Sequence, residues 1–527
     1  MELLKKNARS IYFIGLILLA IALPLSKFLT GLASFVIVGA WLVEGNFAEK
    51  LKRLLADKAI LLWCSIFIMH LVGLLYTSDF TYAFNDLRIK LSLLFFPIII
   101  GSSQPLSKQQ FILLLRIFVA AVIVSTFIST AALLGFLNRN ITQARDISFL
   151  ISHIRLALLI CLAAFVLLYF FQQKCTPLFS KIVHLLCFLW LLVFLFILES
   201  FTGIIILLVL TFLVLSYQLF TKGTLLPKLL YLISIAIICI GLTYTVISAY
   251  SEVNTAKPIN WETLDTTTAL GHKYVHIKER SEMENGNFVF SYLCFSELDS
   301  VWQHRSNLAI TGLDKKQQPL RVTLLRFLTS KGLRKDAVGV ATLSNAEINA
   351  VENGITNYEF QNLSSPKARL KQIFWEISTY QLTGNPSGHS VTLRFEYLKT
   401  GFLIVQENLI FGVGTGDVNV AFQKKYTEMN SPIHPDWRLR AHNQFLTFAV
   451  TFGIVGLVLF LFSLLYPIWL ERKNPNYFYL LFCIIAVISM FTDDTLETQA
   501  GVTFYAFFNA LFWVHKKVVI SAQQIET

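Results

Sequence analysis

The sequence predicts an α-helical polytopic membrane protein of about twelve transmembrane helices with one large extracytoplasmic α+β region. Three observations predict it. Of 527 residues, 55% are apolar and only 14% charged, and the mean hydropathy of +0.62 is too high for a chain solvated on all sides by water. Apolar runs near the about 20 residues needed to cross a bilayer recur along the chain. One long polar stretch, 251–441, separates two sets of them.

The runs lie at 10–25, 28–44, 59–76, 91–101, 111–136, 153–171, 182–199, 203–220, 229–249, 444–468, 477–491 and 500–515. The run at 91–101 is short, and Asp86-Leu87-Arg88-Ile89-Lys90 extends it as an amphipathic turn with its cations at the interface. Three regions follow: an N-terminal membrane region, 1–250, with about nine spans; the extracytoplasmic region, 251–441; and a C-terminal membrane region, 442–527, with about three. Met1 to Leu25 opens like a signal peptide. A second apolar run follows at once and no small-x-small cleavage site is evident, so it is expected to stay as the first span.

The net charge of +12 raises the question of nucleic acid. The basic residues instead fall in short clusters between apolar runs, the pattern of orientation signals, and no nucleic-acid partner is expected. With the N-terminus in the cytoplasm, Lys5, Lys6, Arg9, Lys50, Lys52, Arg53, Lys58, Lys108, Lys174, Lys181, Lys222, Lys228, Arg472, Lys473, Lys516 and Lys517 share one side. The outer loops keep Lys27, Arg88, Lys90, Arg139, Arg145 and Arg155, cations that orientation does not require. Five cysteines sit in apolar runs, Cys175 in a short basic loop and Cys294 in the polar stretch, which leaves no disulfide framework and no paired-cysteine metal site.

Within the polar stretch, Tyr274 to Ile277 and Phe288 to Leu293 alternate as strands do, with a turn signal at Asn285-Gly286. Helical patterns follow at 320–328, 345–351 and 366–380, then a break at Gly384-Asn385-Pro386-Ser387-Gly388. An amphipathic stretch, Val391 to Ile410, is expected to lie along the membrane surface.

Trp437-Arg438-Leu439-Arg440-Ala441-His442-Asn443-Gln444 sets a histidine and two arginines where this polar stretch enters an apolar run. If the helix begins at His442, Gly453 follows after about three turns and Gly456 one turn later, both beneath the histidine. Small residues there would let a second transmembrane helix pack closely and fix the histidine's angle.

The pattern His442-Asn443, nine residues, Gly453-Ile454-Val455-Gly456 resembles the signature of the O-antigen ligase and O-antigen polymerase family, integral-membrane glycosyltransferases of the GT-C type. Phe411-Gly412-Val413-Gly414-Thr415-Gly416-Asp417 is similar to the family's turn before that motif. The resemblance implies a bacterial inner-membrane enzyme with a periplasmic catalytic face. Its donor would be an undecaprenyl-diphosphate-linked glycan, its acceptor a hydroxyl on lipid A-core or on another glycan or protein, and its transfer would need no cofactor, nucleotide or metal and proceed by single displacement with inversion.

The chemistry of such a reaction selects residue types. A transferase facing outward has no ATP, so its donor must already be activated. A leaving diphosphate calls for arginines, whose planar fork binds phosphate oxygens bidentately. An acceptor hydroxyl calls for a base that works near neutral pH. On residue type alone His442 is an interfacial histidine bonded to a neighbour; the glycine spacing and flanking arginines favour a base, and the resemblance implies the catalytic histidine. Arg155, at the outer mouth of the sixth span, is costly there unless paired or functional. A snorkelling anchor is the alternative, and the resemblance implies a catalytic arginine. His153 reads as a spacer.

The family tends to place another arginine in the hairpin that here reads Glu199-Ser200-Phe201-Thr202-Gly203, and Phe201 stands in its place. The missing diphosphate cation is therefore sought at Arg394 first, then at Arg440, Arg438 and Arg88, each equally readable as an interface anchor. Gly412 to Gly416 lacks a phosphate-loop lysine and reads as a tight turn. Asp493, Asp494 and Glu497, with no histidine adjacent in sequence, read as a solvated acidic loop rather than a metal site. A polymerase and a protein O-oligosaccharyltransferase are the alternatives within the family. A polysaccharide transporter or flippase is the alternative outside it, but no paired broken helices are evident.

Overall fold

A computed structural model describes residues 2–515 apart from 140, 142–143, 175, 223, 281, 316–317, 363–365, 385, 387–389 and 474. Most of the predicted break at 384–388 and the cations Lys516 and Lys517 therefore lie outside the described residues. The chain forms two compact units, one of 1–221, 397–431 and 438–527, the other of 222–396 and 432–437.

In chain order the helices of the first unit begin with α1 (Glu2–Leu25), α2 (Lys27–Glu44), α3 (Phe47–Ala56), α4 (Lys58–Val72), α5 (Phe80–Lys90), α6 (Ser92–Ser102), α7 (Lys108–Leu133), α8 (His153–Gln172), α9 (Leu178–Ile197) and α10 (Phe201–Lys222). The second unit holds α11 (Leu225–Asn254), α12 (Phe295–Arg305), α13 (Leu320–Ser330), α14 (Ala337–Ala341), α15 (Asn345–Glu352) and α16 (Pro366–Thr383). Helix α17 (Ser390–Glu407) passes from the second unit to the first, which α18 (Val418–Glu428), α19 (Gln444–Leu470), α20 (Tyr477–Thr492) and α21 (Gln499–Val514) complete.

Among the described residues nine helices are long and apolar enough to cross a membrane. The other three expected spans exist as helices too: α6 has 11 residues, α20 and α21 have 16 each. Only Leu91, itself in a helical conformation, separates α5 from α6, so the two together approach spanning length. Phe28, Phe35 and Leu208 are exposed at 79%, 77% and 64%. Apolar surface on that scale fits a hydrocarbon solvent, and the protein is a polytopic α-helical membrane protein. Helix α8 runs through the centre of the first unit, buried along almost its whole length.

In the second unit the expected strands shrink to one hairpin among the described residues. Met283–Glu284 pairs antiparallel with Asn287–Phe288 through the predicted Asn285-Gly286 turn, both turn residues having positive φ. The Tyr274 to Ile277 stretch pairs through single bridges, Val275 with Leu293, because the chain turns away before a ladder can extend. The core gathers Trp302, Leu324, Phe327, Leu328 and Val351, all fully buried. Trp302 therefore serves packing. Helices α13, α15 and α16 stand where the pattern put them; α12 was not foreseen, because Phe295 to Arg305 carries no clean apolar stripe.

The entry to α19 differs most from expectation. The helix starts at Gln444, capped by Asn443, whose Oδ1 accepts from Leu446 N at 3.0 Å. It is then broken at Gly453, with φ +64° and ψ −160°. The continuous helix that would set both glycines beneath His442 is thus corrected. The chain at 408–414, not a second membrane helix, fills the break: Ile454 N donates to Leu409 O at 2.8 Å, and Val413 N and Gly414 N donate to Val450 O and Thr451 O at 2.9 Å each. Those bonds satisfy carbonyls and amides that the break frees. A Cβ on Gly453 would lie 2.3 Å from Ile410 C, and one on Gly412 2.4 Å from Thr451 C, so the two glycines are what lets the strands of backbone meet. Gly456 lies against Phe452 and Met69 of α4.

Gly453→Ala should therefore cost stability beyond the about 1–3 kcal/mol of a strained positive φ, because backbone must also move. The check is thermal unfolding in detergent beside Gly39→Ala, whose Cβ meets nothing within 4 Å. Equal midpoints for the two variants would contradict the account of the break.

Candidate active site

His442 stands one residue before the Asn443 cap, in the left-handed region at φ +49°. A non-glycine residue there is uncommon and must be held by its surroundings. Asn443 supplies the hold, its Nδ2 donating to Phe491 O at 3.1 Å. The Tyr397 ring packs beside the imidazole at 5.6 Å between centroids. The half-buried imidazole turns Nδ1 toward Asp493 Oδ1 at 3.6 Å, just beyond hydrogen-bond length.

Asp493 also joins the histidine to Arg155. Arg155 Nη2 meets Asp493 Oδ2 at 3.0 Å and donates to Asp494 O at 3.2 Å, while Nε donates to Thr498 Oγ1 at 3.3 Å. Its Nη1 is buried and has no hydrogen-bond partner among the described residues. Burial alone would raise the Asp493 carboxyl; the contact with His442 and the Arg155 charge outweigh it and hold it below its ordinary range. A carboxylate facing Nδ1 favours the tautomer protonated there, which leaves Nε2 as the basic nitrogen.

A second cluster lies four residues on. Glu497, its side chain 4% exposed, accepts from Lys90 at 3.0 Å, Arg440 at 3.0 Å and Gln444 at 3.2 Å. Lys90 is shared with Asp86 at 2.8 Å, and Arg440 also donates to Tyr82 OH at 2.9 Å. Gln444 Oε1 takes Leu496 N at 2.6 Å, and Thr447 Oγ1 donates to Asp494 Oδ1 at 2.7 Å. The first turn of α19 thus grips the 493–497 loop. Burial would raise Glu497, but Lys90 and Arg440 outweigh it and hold the carboxyl low; the same ion pair raises Arg440 against its own burial. Burial and the Glu497 charge raise Asp494.

The loop 493–497 is therefore not solvated, which corrects the sequence reading. The histidine that seemed absent is His442, distant in sequence and adjacent in space. Arg155, Arg440 and His442 come together around this loop. Arg438 does not join them: it reaches Thr427 Oγ1 at 3.5 Å and lies over Tyr426. Arg88 is exposed and bonds to Asn85 of its own helix. Arg394 is exposed on the part of α17 that belongs to the second unit. Phe201 is 67% exposed at the start of α10.

Gly412 to Gly416 is a clasp. The amides of Gly412, Val413, Gly414 and Gly416 donate to Asn408 O, Val450 O, Thr451 O and Thr77 Oγ1, and Asp417 accepts from Ser78 N and Asp79 N at 2.8 Å each. With those donors spent on protein acceptors, the turn offers no phosphate cradle. Sequence reasoning missed Lys90, Asp86, Glu497 and Gln444 as members of the site. The signal for the first two was present, an Asp and a Lys at i,i+4 leading into an apolar run.

Glu497→Gln should leave Lys90 and Arg440 facing each other without their shared carboxylate, a loss of about 3–5 kcal/mol for a buried network broken from one side. The sign with pH follows. A carboxyl held low contributes stability in full above the ordinary carboxylate range and loses it as pH falls through the lowered value. Wild-type protein should then lose stability on acidification over that range, and Glu497→Gln should lose less. Acid titration of the detergent-solubilised unfolding midpoint checks this, and parallel acid limbs would contradict it.

Residues 350–461 match the family described as O-Antigen ligase. That segment contains Gly412, Gly414, Gly416, Arg440, His442, Gly453 and Gly456; Arg155, Lys90 and the 493–497 loop lie outside it. No curated protein matches the chain. The chain is thus a polytopic helical membrane protein in which residues 350–461, His442 among them, are similar to the O-antigen ligase family.

Proposed function

We propose that this protein is an O-antigen ligase-type glycosyltransferase of the bacterial inner membrane, working on the periplasmic face. It moves a glycan from undecaprenyl diphosphate to an acceptor hydroxyl, on lipid A-core or a similar acceptor, with inversion and without a metal or nucleotide. The observation that carries the reading is the His442–Asp493–Arg155 arrangement, with separations of 3.6 Å and 3.0 Å. The family likeness supports the coarser statement, a glycosyltransferase of the ligase and polymerase class acting on lipid-linked glycan.

In this reading the acceptor hydroxyl approaches Nε2 of His442. As the hydroxyl oxygen attacks the anomeric carbon, its proton passes to the imidazole, and Asp493 stabilises the imidazolium that forms. The bond from the anomeric carbon to the diphosphate oxygen breaks, and that oxygen keeps the electron pair. Negative charge grows on the leaving group, where Arg155 Nη1, with no hydrogen-bond partner among the described residues, is the first donor available. Arg440, held by Glu497, is the candidate for the cation that Phe201 does not supply. Arg394, Arg438 and Arg88 rank below it on their surroundings.

His442→Ala should reduce transfer by about 10²–10⁴-fold while the protein stays inserted and folded, whereas Arg88→Ala should leave transfer near wild type. The acceptor is tested on the surface glycans of a deletion strain. Loss of attached long chains with accumulation of lipid-linked polymer supports a ligase. Attached single repeat units would identify a polymerase, loss of glycan from proteins alone a protein O-oligosaccharyltransferase, and unflipped donor on the cytoplasmic leaflet a flippase. Wild-type turnover by the histidine variant would contradict the mechanism.

A further inference from the structure

The second unit carries a mixed set of metal-ligating side chains that the transfer chemistry does not use. Cys294 caps α12 and Glu297 lies three residues on, so the thiol and carboxylate share one face of the helix's first turn. His272 reaches them from the turn that Thr268 N closes onto His272 O at 2.8 Å. His272 Nδ1 lies 2.8 Å from Glu297 Oε1, and the three ligand atoms all fall within 4.8 Å of one another. Among the described residues no other histidine, cysteine and acid group is so gathered.

The surroundings hold the set in place. Thr268 Oγ1 donates to Glu297 Oε1, and Ala337 N donates to Oε2 at 3.0 Å, the outer bonds that orient a carboxylate ligand. Cys294 N donates to Lys335 O at 2.9 Å, fixing the cysteine backbone, while the Lys335 ammonium turns to Phe288 O. Cys294 is 4% exposed and its Sγ lies 3.5 Å from Ser296 Oγ. His272 is the exposed member, its side chain 58% accessible, and gives the site an entrance.

We propose that Cys294, His272 and Glu297 bind one divalent transition ion of the zinc class, with water as the fourth ligand, clamping the 268–272 turn to α12. One thiolate, one imidazole and one carboxylate suit a borderline ion, and tetrahedral bonds of about 2.0–2.3 Å put ligand atoms about 3.3–3.7 Å apart, inside the range from 2.8 Å to 4.8 Å that these atoms span. In binding, the ion takes the place of the direct 2.8 Å contact between His272 Nδ1 and Glu297 Oε1. Sequence spacing hid the set, because Cys294 has no cysteine partner and His272 lies 22 residues before it.

The test is Co²⁺ titration of the full-length protein in detergent under reducing conditions, followed by displacement with Zn²⁺. One equivalent of Co²⁺ should bind with a thiolate-to-cobalt charge-transfer band that Zn²⁺ abolishes. Cys294→Ser should lose the band, and His272→Ala, at an exposed position whose loss leaves the fold intact, should weaken binding at least about 10-fold. No stoichiometric binding, or equal binding by wild type and His272→Ala, would overturn the proposal. The readout does not involve glycan transfer, so it stands or falls separately from the proposed reaction.

Discussion

The buried charges of the 493–497 loop are the constraint on which the first unit depends. Carboxylates cannot be taken out of water unless cations and donors follow them. Here Asp493 takes Arg155, Glu497 takes Lys90 and Arg440, and Asp494 takes Thr447. Those partners come from α5, α8, α19 and the chain just before α19, so satisfying one short loop draws four segments together. The result is also a chemical arrangement, because one of the carboxylates so fixed faces His442.

The break in α19 serves the same end from the other side. A continuous helix would have carried its first turn along a straight axis. Instead Gly453 admits the 408–414 chain, whose amides replace the helix's own bonds, and Thr415 and Asp417 then fasten that chain to α4 and to the start of α5. Arg440, His442 and Gln444 are thereby held between the clasp and the acidic loop. Their positions rest on backbone bonds as well as ion pairs, which suits the role of base proposed for His442.

Much of this was legible in the sequence. Apolar run length located the helices, since hydrocarbon thickness leaves little freedom, and the Asn285-Gly286 pair located the one hairpin. His442 and Arg155 are singled out by motif spacing and by the family resemblance rather than by residue type, and Arg440 is one of four candidate cations. What failed was periodicity carried through Gly453: a helix pattern cannot reveal that a distant backbone segment will enter it. The solvated reading of Asp493, Asp494 and Glu497 failed for a related cause. Their partners lie between 47 and 407 residues away, as Thr447 and Lys90 show, and only the fold brings them near.

The proposed mechanism requires Arg155, Asp493 and His442 to act as one unit, a claim that a double-mutant cycle measures. Transfer from lipid-linked donor would be measured for Arg155→Lys, Asp493→Asn and the double variant in folded, inserted protein. A unit predicts that the double variant is little worse than the more damaging single one. Fold losses that simply multiply would show that the arginine and the aspartate act independently, and would contradict the claim.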